Sequence, residues 1–157
     1  MLVVYFSHSG NTRVVADKIH ALVGGESFEI VPVHPYPAEY RQCVEQAKQE
    51  LHDNVRPQLS TRVTDMVAHD TVFVGFPNWW STMPMPLWSF LEAYDFSGKT
   101  IIPFCTHGGT KLGRSVEDIK KLCPLATILK GLAIKGNSVQ TSDGDIAQWL
   151  RESGIVN

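Results

Sequence analysis

Cysteine, charge of one sign and long apolar runs are all scarce in this chain. Its three cysteines, Cys43, Cys105 and Cys123, form no C-x-x-C pair, so neither a disulfide framework nor a zinc site is indicated. Fourteen basic residues stand against sixteen acidic ones, with a sequence pI near 6.3, which excludes the basic surface typical of nucleic-acid or anionic-membrane binding. No apolar run approaches the length of a membrane span.

The length and the first residues narrow the class of protein further. At 157 residues the chain predicts a single domain, residues 1–157, which is too small to carry a separate nicotinamide-binding domain. Leu2 already opens an apolar run, with no basic stretch or cleavage site before it, so no targeting signal is predicted. We therefore expect a cytoplasmic protein, a monomer or weak dimer, with neither a nucleic-acid nor a membrane partner.

Strand-like apolar runs and helical spacings alternate along the chain, which predicts an α/β fold. Several of the runs are apolar throughout, as is typical of a parallel sheet with helices on both faces. Strands are predicted at Leu2–Phe6, Ser27–Val31, Thr71–Gly75, Thr100–Cys105 and within Thr127–Ile134. Helices are predicted around Val15–Val23, Tyr40–Leu51, Leu87–Tyr94, Leu112–Leu122 and Ile146–Leu150, the last behind a capping box of Ser142 and Asp145.

The turn after the first predicted strand is suited to a phosphate group. It reads Ser7-His8-Ser9-Gly10-Asn11-Thr12 and leads directly into a predicted helix. Helix N-termini carry unpaired N–H groups and a partial positive charge, hydroxyls add donors, and Gly10 lets the backbone approach closely. Taken alone, the same turn is equally compatible with an ordinary helix cap.

Other classes of phosphate chemistry are excluded at this turn. It contains neither the nucleotide P-loop G-x-x-x-x-G-K-S/T nor the dinucleotide pattern G-x-G-x-x-G. Ser7 and Arg13 have the spacing of a low-molecular-weight tyrosine phosphatase, but the thiolate nucleophile is missing. A receiver domain needs an Asp at its strand ends, where this chain has Ser7 and Gly75-Phe76-Pro77.

Two further loops are expected at the same edge of the sheet, because ligands of parallel sheets bind beyond the carboxyl ends of the strands. After the third strand, Pro77-Asn78-Trp79-Trp80-Ser81-Thr82 offers two aromatic planes. After the fourth, Thr106-His107-Gly108-Gly109-Thr110 offers backbone N–H groups that can bond the edge of a heterocycle. Together the three loops predict a site for a phosphorylated, flat, aromatic ligand.

With these three loops in this order, the chain resembles the flavodoxins. Their phosphate loop alternates hydroxyl residues around a glycine, a pattern that Ser7, Ser9, Gly10 and Thr12 match. The resemblance spans nearly the whole chain and implies a flavodoxin-like three-layer sandwich, with a five-stranded parallel sheet in the order 2-1-3-4-5. It implies non-covalent FMN, with the phosphate on Ser7 to Thr12 and the ring between Asn78–Thr82 and Thr106–Gly109. Trp79 or Trp80 is expected to stack on the ring.

One local feature is predicted for the loop after the third strand. Proline at the second position and asparagine at the third suit a type II turn, because Asn tolerates a positive φ. The resemblance implies that a peptide flips here to bring a carbonyl to N5 of the reduced flavin. We expect the peptide bond after Asn78 to make that flip.

Three classes of function remain open. In the first, the protein is an electron carrier that holds FMN and serves redox protein partners, namely flavin or iron-sulfur reductases and acceptors. The second is an FMN-dependent reductase that NAD(P)H or a quinone meets directly. The third is a partner-binding module of flavodoxin shape without flavin. Because the sequence contains no triad, acid–base dyad or metal-ligand cluster, no catalytic or metal-binding residue is predicted.

Overall fold

A parallel β-sheet forms the centre of the molecule in the computed structural model, which describes residues 1–157. Numbered along the chain, the strands lie in the order second, first, third, fourth and fifth, and a sixth strand also pairs with the fourth. The predicted five-stranded order is therefore confirmed, with a sixth strand added. The strands are β1 (Leu2–Tyr5), β2 (Glu26–Glu29), β3 (Thr71–Pro77), β4 (Thr100–His107), β5 (Thr127–Ile128) and β6 (Leu132–Lys135).

Helices cover both faces of this sheet, as predicted. Tyr94 and Leu112, which were predicted to belong to helices, lie just outside the third helix, Met85–Glu92, and the fourth, Ser115–Leu122. None of the helices combines the length and the apolar character that crossing a bilayer would take. The helices are α1 (Asn11–Val23), α2 (Tyr40–Asp53), α3 (Met85–Glu92), α4 (Ser115–Leu122) and α5 (Asp143–Glu152), with 3₁₀ helices at Met66–Ala68 and Gly136–Thr141.

Successive side chains of the central strands enter two different cores, because neighbouring residues of a strand point to opposite faces. Along β3, Val72 and Val74 pack in the core that includes residues of α3 and α4. Phe73, between them, packs in the core that includes residues of α1 and α5. All three side chains are fully buried, which explains why the central strands are apolar throughout.

The predicted fifth strand, within Thr127–Ile134, is divided into β5 and β6. The amide of Leu129 donates to the carbonyl of Ile101 on β4 at 3.0 Å. The main-chain N–H and C=O groups of the odd-numbered residues of β4 therefore point toward β5 and β6. Pro103 is the next odd-numbered residue, and as a proline it has no N–H to donate. The ladder is therefore interrupted opposite Pro103 and resumes where Phe104 pairs with Leu132.

The capping box predicted at the start of α5 is absent. The Ser142 hydroxyl donates instead to the carbonyl of Val139 at 2.7 Å, and no side chain caps the helix. The 3₁₀ helix Gly136–Thr141 runs directly into α5 and presents this carbonyl to the hydroxyl. Asp143, in the first turn of α5, accepts a hydrogen bond from Lys18 Nζ at 2.6 Å. The segment before α5 is thus joined to α1.

A glycine in the middle of the sheet provides a test of the packing. Gly75 lies between Tyr5 and Phe104 in the strand register, and a Cβ built on it would come within 2.1 Å of the Phe104 ring. We expect Gly75→Ala to lower the free energy of unfolding by about 1–3 kcal/mol, measured by urea denaturation. The control is Gly144→Ala in α5, where the added Cβ meets open space. That change should raise stability by up to about 1 kcal/mol, and equal stability of the two variants would contradict the packing argument.

Candidate functional site

A cavity of about 710 Å³ opens at the carboxyl edge of the sheet. Its volume is within the range of roughly 300–1,000 Å³ that is usual for small-molecule sites. All three predicted loops contribute to its wall, so the structure brings them together as expected. The predicted site residues that line it are His8, Ser9, Asn11, Pro77, Asn78, Trp79, Trp80, Thr106, His107 and Gly108.

The other predicted site residues lie in the same loops but outside this lining. Ser7 lines a neighbouring cavity of about 510 Å³, whose wall it shares with His8 and Ser9. Thr82, the last residue of the second loop, is fully buried. The remaining residues of this group, Gly10, Thr12, Ser81 and Gly109, flank the cavity-lining positions in sequence.

The first loop forms a helix start with unusual capping. Gly10 precedes α1 with a φ of 99°, a left-handed conformation that glycine adopts without strain. The Ser7 hydroxyl accepts from the amide of Arg13 at 3.3 Å, and the Ser9 hydroxyl accepts from the amide of Asn11 at 3.4 Å. Since the first turn of α1 contains no carboxylate, the positive end of the helix is free to attract an anion.

Thr12 and His8 have partners that fix the shape of this loop. The Thr12 and Thr106 hydroxyls are 2.8 Å apart and buried, which joins the start of α1 to the end of β4. The His8 ring has its Nε2 atom 2.9 Å from the carbonyl of Pro37 and makes an edge contact with Trp79. His8 lines both cavities and therefore lies on the wall between them.

The second loop turns at a different place from the one predicted. β3 continues through Pro77, and the amide of Asn78 donates to the carbonyl of Thr106 at 2.8 Å. The type II turn predicted at Pro77 and Asn78 is therefore wrong. The positive φ values are those of Trp80, at 54°, and Ser81, at 66°, as in a type I′ hairpin turn. The peptide after Asn78 lies before this turn, so the local geometry required by the flip hypothesis is absent there.

Contacts with α4 and with the segment before it hold this hairpin turn in its strained conformation. A left-handed conformation costs a residue with a side chain roughly 1–2 kcal/mol, so the surroundings must impose it. The Thr82 hydroxyl donates to the buried Asp118 carboxylate, and the carbonyl of Ser81 accepts from the amide of Arg114 at 2.8 Å. Gly113 lies so close that a Cβ on it would come within 2.3 Å of the Ser81 carbonyl oxygen.

The two tryptophans of the hairpin turn have different surroundings. Trp79 is half-buried and makes edge-to-face contacts with Phe6 and Tyr36, at centroid distances of 5.5 and 5.0 Å. Trp80 is 43% exposed, and its indole N–H donates to the carbonyl of Val44 in α2 at 3.1 Å. Trp79 is therefore part of an aromatic cluster, whereas Trp80 forms a wall of the cavity with free surface.

His107 ends β4 and is the most buried ionisable side chain on the cavity wall apart from Cys43. It is 8% exposed, and its Nδ1 atom has no hydrogen-bond partner in the protein. Burial is the main reason why the pKa of His107 lies below its usual value, and the charges of Lys135 and Lys111 lower this pKa further. The imidazole is therefore neutral near pH 7 and can donate from one nitrogen and accept at the other.

Two parts of the cavity wall were not predicted from the sequence. The first is the end of β6, Lys135, together with Gly136 and Asn137 after it. β6 was not predicted as a strand separate from β5, and the signal that could have separated the two strands is Pro103. The other part is the face of α2 formed by Tyr40, Cys43, Val44 and Ala47, whose spacing was correctly predicted to share one side of a helix. Burial raises the pKa of the Cys43 thiol, which therefore stays protonated at neutral pH.

The cavity fits the chemistry of FMN. No Asp or Glu lines it, so its wall does not repel an anion, and the N-terminal end of α1 opens onto it at Asn11. Trp79 and Trp80 provide apolar surface for a flat ring. His107 Nδ1 and Asn78 Oδ1 are buried polar atoms without protein partners, as expected where a polar heterocycle completes the bonding.

Comparisons with known proteins agree with this architecture. A family model described as Flavodoxin matches residues 1–153. A candidate flavoprotein of known structure from Bacteroides eggerthii is 32% identical, with a TM-score of 0.84 over 96% of this chain and 94% of that chain. A second candidate flavoprotein, from Bacteroides uniformis, is 30% identical, with a TM-score of 0.85 over 96% of each chain.

More distant structures share the fold alone. A flavoprotein from Lactobacillus acidophilus, solved in complex with FMN, is 21% identical, with a TM-score of 0.73 over 89% of this chain and 95% of that chain. An NADH:FMN oxidoreductase in its apo form is 16% identical, with a TM-score of 0.56 over 96% of this chain and 84% of that chain. No curated protein is similar enough in sequence to count as a match.

The surroundings of His107 predict how it titrates. Its pKa should lie below the ordinary value of 6.5, and Lys135→Met should raise it without restoring that value, because burial is the larger cause. The unfolded chain takes up this proton first as the pH falls, so the contribution of His107 to the free energy of unfolding decreases below about pH 6.5. NMR titration of the imidazole C–H signals measures the pKa. Lys121→Met, on the exposed side of α4, is the control, and a wild-type pKa at or above 6.5 would contradict the assignment.

Proposed function

This chain belongs to the flavodoxin family, and from that premise we propose that it binds FMN non-covalently at the carboxyl edge of its sheet and passes electrons to protein partners. The observation that carries the proposal is the cavity itself. In its wall the anion-attracting end of α1, two indole side chains and an unpartnered His107 nitrogen come together without any carboxylate.

The phosphate of FMN is assigned to the first loop. Ser7 and Ser9 direct their hydroxyl oxygens toward the amides of the first turn of α1, and rotation of these hydroxyls lets them donate to a bound anion instead. Gly10 has no Cβ, and its surroundings are open, so the phosphate can approach the backbone. Asn11 lines the cavity at the positive end of the helix.

The ring of FMN is assigned to the space between the second and third loops. Trp80 exposes enough surface to cover an aromatic ring, and its indole N–H is already bonded to α2, which fixes its position. Across the cavity, Gly108 leaves open space where a side chain would stand. Bound FMN would supply reversible uptake of one or two electrons, while the chain supplies binding, orientation and exclusion of water.

The ionisable groups on the wall favour an electron carrier over an enzyme that transforms a substrate. The Cys43 thiol is protonated near pH 7 and so is not poised as a nucleophile, and the neutral His107 lacks a carboxylate partner of the kind that orients a catalytic imidazole. Trp80 lies at the open side of the cavity, where a partner protein can approach the ring. The partners that fit this role are flavin or iron-sulfur reductases and acceptors.

A second candidate function is an FMN-dependent reductase that acts directly on a small molecule. The observation that favours it is the wall formed by Cys43, Val44 and Ala47 of α2, which extends the cavity beyond the three predicted loops. That wall adds apolar surface against which a quinone or a nicotinamide ring could rest. The NADH:FMN oxidoreductase described above has the same fold, so the fold is compatible with this chemistry.

FMN binding is tested by titrating the apoprotein with FMN and following the flavin fluorescence. We expect saturable binding at one site per chain, and about tenfold or more weaker binding for Trp80→Leu, because aromatic contact with a flat heterocycle is worth about 1–3 kcal/mol. The matched control is Trp88→Leu in α3, which lies outside the cavity and should leave the affinity unchanged. Absence of any binding by the wild type would favour the flavin-free partner-binding module.

The two redox functions are separated by steady-state kinetics of the FMN-loaded protein. We expect oxidation of NADH and NADPH no faster than with the same concentration of free FMN, because a single lysine and no arginine line the cavity to bind the phosphates of a nicotinamide nucleotide as well as that of FMN. Reduction by dithionite and reoxidation by a one-electron acceptor should both proceed to completion. Saturable, protein-dependent oxidation of either nicotinamide would instead establish the reductase.

A further inference from the structure

Lys135 is a cation on the cavity wall that has no anionic partner in the protein. It lines the cavity, yet it takes part in none of the ion pairs of the molecule. None of the other lining residues is an Asp or Glu. An ammonium group facing a cavity without carboxylates is suited to an anion that comes from outside the chain.

Lys135 lies beside the start of α1, although the two are far apart in sequence. The parallel register of β4 and β6 pairs His107 with Lys135 at the carboxyl edge of the sheet. A Cβ built on Gly136, the next residue, would come within 2.8 Å of Asn11 Nδ2. The backbone at Lys135 and Gly136 is therefore adjacent to the first residue of α1, where the N-terminal amides collect.

No other Lys and no Arg lines the cavity at this end of α1. Arg13 lies in the first turn, but its guanidinium is paired with the Glu29 carboxylate and is directed away from the cavity wall. The helix end alone supplies only about half of an elementary charge. Since a phosphate monoester carries nearly two negative charges at pH 7, a neighbouring ammonium would balance part of the remainder.

The segment that carries Lys135 is fixed to α1, so this arrangement exists before any ligand binds. Lys18, on α1, donates to the carbonyl of Gln140 at 3.1 Å and pairs with Asp143 at 2.6 Å. These contacts hold the end of the β6–α5 connection that is nearest α5 against the helix that begins at Asn11. Because the backbone that carries Lys135 is fixed in the sheet, only its side chain is ordered on binding, which costs less free energy than ordering a free loop.

An independent feature of the same wall points to a ligand. His107, the register partner of Lys135, is 8% exposed and has an Nδ1 atom without any protein partner. A buried polar atom left unpaired costs roughly 1–3 kcal/mol, so such atoms are normally satisfied by a ligand or by water. His107 and Lys135 are thus neighbours on paired strands, and both line the cavity.

We propose that Lys135 binds the phosphate group of the ligand at the N-terminal end of α1. The inference rests on the proposed function. It assigns to the phosphate site a residue from the end of β6 in addition to those of the first loop. The ammonium supplies the counter-charge, while the amides and hydroxyls of the first loop supply the directed hydrogen bonds.

The test compares FMN with riboflavin, which has the same ring and chain but no phosphate. Lys135→Met should weaken FMN binding about ten- to a hundredfold, the effect expected for a charged hydrogen bond, and leave riboflavin binding within about twofold of the wild type. Lys121→Met removes the same charge from an exposed position on α4 and should change neither affinity. Lys135→Arg should retain most of the affinity for FMN.

A second readout follows the phosphate itself. In the ³¹P NMR spectrum of bound FMN, Lys135→Met should raise the pH at which the phosphate dianion becomes the monoanion, and Lys121→Met should not. An equal loss of affinity for FMN and riboflavin, or no loss for either, would overturn the proposal. If the wild type binds no FMN, the proposed function is wrong. Thermal melts with inorganic phosphate then test Lys135 separately: phosphate should stabilise the wild type but not Lys135→Met, and equal stabilisation of both would contradict the role of Lys135.

Discussion

Parallel pairing of the strands is the constraint on which the rest of the molecule depends. Because β1, β3, β4 and β6 all run in the same direction, their carboxyl ends share one edge, and four segments distant in sequence meet there. Short polar contacts then lock these segments together. The Thr106 hydroxyl pairs with that of Thr12, and the Thr106 carbonyl accepts from Asn78, so one residue of β4 aligns the first and second loops.

Much of this arrangement could be predicted because it depends on patterns that are local in sequence. Apolar runs identified the central strands, and helical spacing identified all five helices. The position of the second turn could not be found in the same way. Pro77 and Asn78 have the stronger local preference for a turn, yet the chain turns at Trp80 and Ser81, because Gly113 and Asp118 hold it there. Tertiary contact therefore outweighs the local preference of the chain.

Residues of the site were missed for a related reason. Lys135 reaches the edge of the sheet only because Pro103 divides the outer strand and lets β6 pair with the end of β4. Tyr40 and Val44 reach the cavity because α2 packs across the second loop, where the carbonyl of Val44 accepts from Trp80. Neither contribution follows a central strand directly, so a search limited to the loops after those strands could not include them. The loops that were found owe their function to neighbours that sequence spacing does not reveal.

The interruption at Pro103 has a consequence at the margin of the sheet. β5 has only two residues and β6 four, so the outer side offers no extended row of free main-chain donors to a strand of another molecule. Between the two strands, the carbonyl of Lys130 is occupied by the indole N–H of Trp149 at 2.9 Å. At the opposite margin, β2 has Glu26 and Glu29 at its two ends, and charge of this kind discourages strand addition. Both edges of the sheet therefore disfavour pairing with strands of other molecules, the step by which fibrils begin.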